Sequence, residues 1–144
     1  MDIDDKTRFT VEWSDDFVTG NEIIDNSHKE IIKGIKELYA MCEDTKKYLE
    51  EIPAATDKMV KMLMEHFDEE EELFKKYDLS CTDEHIKNHE EYRDELENLV
   101  RFDFPALMKA LMINEILVRY LTEHFLIYDK KSIEELNKKL KENA

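Results

Sequence analysis

Apolar residues recur at intervals of three and four along four stretches of the chain, the period of an amphipathic helix with one buried face. In the first, Ile24, His28, Ile31, Ile35, Leu38 and Cys42 form one stripe, and the preceding Thr19-Gly20-Asn21-Glu22 reads as a capping box that opens the helix. Pro53 suits the first turn of the second helix, whose inward stripe runs Met59, Met62, His66, Glu70, Leu73 and Tyr77. Ser80 or Thr82 is the expected N-cap of the third, which carries His85, His89, Tyr92, Leu96 and Leu99. Asp103 and Pro105 introduce the fourth, with Ala110, Ile113, Leu117, Tyr120 or Leu121, and His124 in register.

Four such helices joined by short connections predict an all-α fold, an antiparallel up-down-up-down four-helix bundle. Residues 43–52 read as a charged connection, and Ser132 to Glu135 as a second capping box opening a short C-terminal helix over about 132–142. Phe9, Val11, Trp13 and Phe17 lie among polar residues with no helical period. They predict an extended N-terminal arm over about 1–18, with Trp13 as a core plug. The bundle then occupies about 19–129 of a single domain spanning 1–144, a length that buries roughly 68–70% of the unfolded chain's surface.

Composition narrows the function. A net charge of −15 opposes binding to nucleic acid or to anionic membranes, both of which need a basic face. No apolar run approaches the ~20 residues of a membrane span. The acidic start MDIDDKTRFT lacks the basic and apolar regions of a signal peptide, so a cytoplasmic location is expected. Cys42 and Cys81 form no CxxC pair and read as two free thiols.

The chemistry lies in the histidines. All five, His28, His66, His85, His89 and His124, fall inside the inward stripes, and every one of the four helices contributes. A single histidine in an apolar stripe is ordinarily a hydrogen-bonded core residue, and one i, i+4 histidine pair is ambiguous. Glu70 adds to the pattern. The run Asp68 to Glu72 is mainly a solvated acidic face, yet Glu70 alone falls in register with His66 on the apolar side. Five imidazoles and a carboxylate cannot all satisfy one another in an apolar core, whereas a cation resolves the conflict. Nitrogen and oxygen donors without thiolate suit iron, zinc, copper or nickel. Five histidines plus carboxylates exceed the six positions of one ion, so two ions with carboxylate bridges are expected.

These residues resemble the hemerythrin family, and within it the single-domain bacteriohemerythrins. The matching segments are IIDNSH at 23–28, HFDEE at 66–70, HIKNH at 85–89 and HFLIYD at 124–129, within a resemblance that runs from Trp13 to Asp129. It implies a non-haem di-iron centre, with His28 and His66 on one iron and His85, His89 and His124 on the other. Glu70 and Asp129 would bridge both irons, with a further oxo or hydroxo bridge. Eleven of the twelve positions on two octahedral ions are then filled, and the vacancy falls on the iron with two histidines. The implied function is reversible dioxygen binding, as carrier, store or sensor, by a monomer rather than an enzyme. Leu126 matches a family position beside the dioxygen pocket; it also reads simply as core leucine. Tyr120 stands where the bacterial family usually has tryptophan, which could alter packing or add a hydroxyl near the access route. The alternatives are a di-iron enzyme acting on peroxide, nitric oxide or ferrous iron, and a structural bundle with zinc or no metal.

Asp129 is the one ligand that the helical period opposes. It lies five residues after His124, about 140° around an ideal helix. A widening of that turn toward π geometry brings i and i+5 together, so an irregularity is expected there.

Overall fold

The computed structural model describes residues 6–142 with the exception of residue 81; the start of the arm and Cys81 lie outside the described residues. In chain order these are α1 (Lys6–Phe9), a 3-10 turn at Asp15–Phe17, α2 (Glu22–Glu43), α3 (Thr45–Tyr48) and α4 (Ile52–Lys76). They are followed by α5 (Thr82–Arg101), α6 (Ala106–Arg119), a π-helical segment (Tyr120–Asp129) and α7 (Lys130–Glu142). The fold is an all-α four-helix bundle of α2, α4, α5 and the long fourth helix, around a core that includes Ile31, Ile35, Leu63, Leu96, Ile113 and Leu117. No helix among the described residues is long and apolar enough to cross a membrane.

Three local features differ from the sequence expectation, each for a physical reason. The N-cap of α2 is Asn21, whose side chain accepts from the Ile24 N–H at 3.2 Å. Gly20, at φ +83°, turns the chain just before it, and Thr19 instead bonds Asp25 through its hydroxyl at 2.6 Å. A residue with positive φ is tolerated there because glycine has no Cβ. The arm is not extended throughout, because α1 packs on α6 and buries Phe9 with Tyr39 and Leu111. Trp13 is half-buried against Phe17, ring centroids 5.7 Å apart. The connection over 43–52 contains the short helix α3.

In α4 the buried stripe is Thr56, Met59, Leu63, His66, Phe67, Glu70 and Phe74, whereas Met62, Leu73 and Tyr77 are half-buried. This helix touches α2, α5 and α6, so its covered face is wider than a single stripe and centres one residue further along. The end of α4 is closed by two backbone bonds, Leu79 N–H to the Phe74 carbonyl (3.1 Å) and Asp78 N–H to Lys75 (3.2 Å). Asp78 sits at φ +49°, completing a Schellman motif with Phe74 and Leu79 in apolar contact. That tight reversal sets where α5 begins, and so where His85 and His89 point.

The largest correction concerns the C-terminus. From Ala106 to Glu142 the chain is one unbroken helix, α6 running through the π segment into α7. Ser132 therefore opens nothing. It is buried inside the helix, and Glu135 instead accepts from the Ser80 backbone N–H at 2.9 Å.

Candidate metal centre

The expected irregularity is present. Over Tyr120–Asp129 the helix is π-helical, with Asp129 wholly buried. Its Oδ1 lies 2.8 Å from His124 Nε2 and 2.6 Å from His85 Nε2, and its Oδ2 lies 3.6 Å from His28 Nε2. From α4, Glu70 Oε1 reaches His66 Nε2 at 2.8 Å and His89 Nε2 at 3.7 Å. All seven of these side chains are at most 2% exposed.

The donors fall into two overlapping groups. His28, His66, Glu70 and Asp129 form one, and His85, His89, His124, Glu70 and Asp129 the other; within each, one ligand atom per residue lies within 4.8 Å of the rest. The carboxylates are the shared members. One histidine-rich cage thus has two centres, with three imidazoles on one side and two on the other.

Proton placement favours a cation in the interior. Four of the imidazoles turn Nδ1 away from the cage toward a partner: His66 to Ser27 Oγ (2.8 Å), His85 to Ser132 Oγ (2.9 Å), His89 to Glu71 Oε2 (2.9 Å) and His124 to Asn88 Oδ1. Glu71 and the Asn88 carbonyl can only accept, and the Asn88 amide is itself oriented toward Glu91, so Nδ1 of His89 and His124 carries the proton. Neutral rings of that tautomer present only a lone pair at Nε2. The Nε2 lone pairs of His89 and His124 therefore face one another at 3.1 Å; the Nε2 atoms of His85 and His124 lie 3.0 Å apart and those of His28 and His66 3.1 Å. Two lone pairs at that distance favour a cation, proton or metal, between them. Glu70 Oε2 and His28 Nδ1 are buried without a hydrogen-bond partner.

In the protein alone the histidines are pushed in opposite directions. Burial, then the neighbouring His124 and His85, depress His89 to about 2. Burial also works against a charge on His66, but Glu70 beside it outweighs that and raises its pKa. Burial disfavours ionised Asp129, yet His124, with bonds from His28 and His85, holds it well below the usual carboxylate range.

Several residues of the site were not legible as such. Ser27, Glu71, Asn88 and Ser132 orient the imidazoles, the outer partners on which a metal site's ligand geometry depends, and Arg93 holds Glu71 in turn at 2.5 Å. Tyr120 is wholly buried and lies inside the site rather than along an access route, its hydroxyl 2.9 Å from Glu70 Oε1 and 3.0 Å from Asp129 Oδ2. Leu126, which also read as a core leucine, is 50% exposed. The π widening turns Phe125 inward instead, edge-on to the His28 ring at 5.0 Å.

Comparison with known proteins points the same way. The sequence model of the hemerythrin HHE cation binding domain matches residues 19–126. Ninety residues are 31% identical to the myohemerythrin of Theromyzon tessulatum, covering 61% of this chain and 67% of that protein. With three-quarters of its length matched by that family model, the chain belongs to the hemerythrin family.

Proposed function

We propose that the cage holds two iron ions and binds dioxygen reversibly. His28 and His66 hold one iron, His85, His89 and His124 the other, and Glu70 and Asp129 bridge them. The observation that carries this reading is the pair of overlapping donor groups sharing two carboxylates, because shared carboxylates serve two ions and not one. When bound, the iron pair supplies electrons and an open coordination position to dioxygen. With two histidines against three, the His28/His66 side would be the one to leave room for a ligand.

The chain's own residues then do three things. The Nδ1 partners fix four of the five imidazoles with Nε2 turned inward. The carboxylates offset much of the positive charge of two ions that would otherwise be costly to bury. The rings of Phe125, Phe67 and Phe74 lie 5.0, 4.4 and 4.7 Å from those of His28, His89 and His85, excluding bulk water and with it the protons that favour irreversible oxidation.

The test is the visible spectrum of the iron-loaded protein, reduced without air, then aerated, then deoxygenated. A band that appears and disappears over repeated cycles supports reversible binding. Permanent oxidation on first aeration contradicts it, and steady turnover of peroxide or nitric oxide would transfer the site to the enzyme class.

A further inference from the structure

Tyr120 carries more than packing requires. Its ring is fixed on four sides: stacked on His124 at 4.7 Å, and edge-on to Phe67 at 5.3 Å, Tyr92 at 5.6 Å and His66 at 5.8 Å. Phenylalanine would fill the same space. The hydroxyl is an addition, and the clamped ring aims it at one place, between Glu70 Oε1 at 2.9 Å and Asp129 Oδ2 at 3.0 Å. One phenolic proton serves two acceptors, one on α4 and one on the π segment. Oε1 also meets His66 at 2.8 Å and, further off, His89 at 3.7 Å, and Oδ2 also faces His28 at 3.6 Å.

A hydrogen bond donated to a metal-bound carboxylate draws negative charge from it. The ligand then stabilises the higher oxidation state of the metal less, and the reduced state is favoured. We propose that Tyr120 is a positioning residue of the metal centre, whose hydroxyl, through Glu70 and Asp129, raises the reduction potential of the iron pair and holds it in the reduced, ligand-binding state. This rests on the di-iron reading above.

The experiment is spectroelectrochemistry of iron-loaded wild type, Tyr120→Phe and Tyr92→Phe, with iron measured per chain. Tyr92 packs on the same ring and on His124, so Tyr92→Phe controls for packing. Tyr120→Phe is expected to keep its iron, to show an oxidised-to-reduced ratio at fixed potential at least about tenfold higher, equivalent to about 59 mV per one-electron step, and to oxidise faster in air. Tyr92→Phe is expected to match wild type. An unchanged potential in Tyr120→Phe, or an equal shift in both variants, overturns the proposal. So does loss of iron from Tyr120→Phe, which would make the phenol a residue that retains metal. A wild-type protein that takes up no iron defeats the di-iron reading itself, a result distinct from the others.

Discussion

The Asp129 carboxylate lies 2.8 Å from His124 Nε2, five residues earlier in the same helix. A regular α-helix would separate them by about 140°; the π segment removes that angle and places both on the cage. Asp129→Ala should therefore lower metal content to one ion per chain or fewer, and should also destabilise the metal-free bundle, because it leaves His124 and His85 without the buried carboxylate they pair with. Thermal melts with elemental analysis check both halves. Full metal content in the variant would refute the bridging role.

The outer partners should matter almost as much as the ligands. Ser132 Oγ hydrogen-bonds His85 Nδ1 and Ser27 Oγ hydrogen-bonds His66 Nδ1, and removing such a partner typically weakens metal binding by about 10–100-fold. Ser132→Ala and Ser27→Ala are expected to lose metal to a competing chelator at correspondingly lower chelator concentrations. Ser80→Ala, on the surface beside Glu135, should behave as wild type.

How far the sequence could reach depends on what a period can distinguish. The stripes in α2 and α5 are legible because each has a single apolar face, and the histidines stand out because they interrupt it. In α4 both Met62 and Leu63 are apolar, and only the packing of three neighbouring helices selects Leu63 for the core. Ser132 and Glu135 satisfy the spacing of a capping box equally well inside a continuing helix, where they bond to His85 and Ser80 instead. Asp129 was expected through the family resemblance, which in turn required the widened turn. Leu126 against Phe125 depends on how that widening shifts the phase, and no periodicity encodes it. The Nδ1 partners are set by neighbouring helices and leave no mark on their own.

The metal-free protein should be most stable near pH 6.5. His89 is depressed to about 2 when folded from about 6.5 when unfolded. Its stabilising contribution is therefore complete above pH ~6.5 and is lost as pH falls, at up to about 1.4 kcal/mol per unit. His66 is raised when folded, so its contribution is complete below pH ~6.5 and is lost as pH rises through its folded value. Depressed Asp129 adds a further loss in more acid solution. Urea midpoints measured with chelator from about pH 4 to about pH 9 should trace a maximum, whereas a flat profile would contradict these environments.

Asp78 holds a left-handed conformation at φ +49° in the turn that aims α5. Glycine adopts it without the Cβ penalty, so Asp78→Gly should stabilise by roughly 0.5–1 kcal/mol, raising Tm by about 2–4 °C. Calorimetry would show it, and a lower Tm would mean the aspartate is not strained there.

The central claim is that one buried cage, built from all four helices of the bundle, holds two metal ions through shared carboxylates. Iron per chain, determined by elemental analysis on wild type and Glu70→Ala side by side, tests it most directly. The expected result is two irons per wild-type chain and a large loss in Glu70→Ala. One iron or none in the wild type, or unchanged iron in the variant, would contradict it.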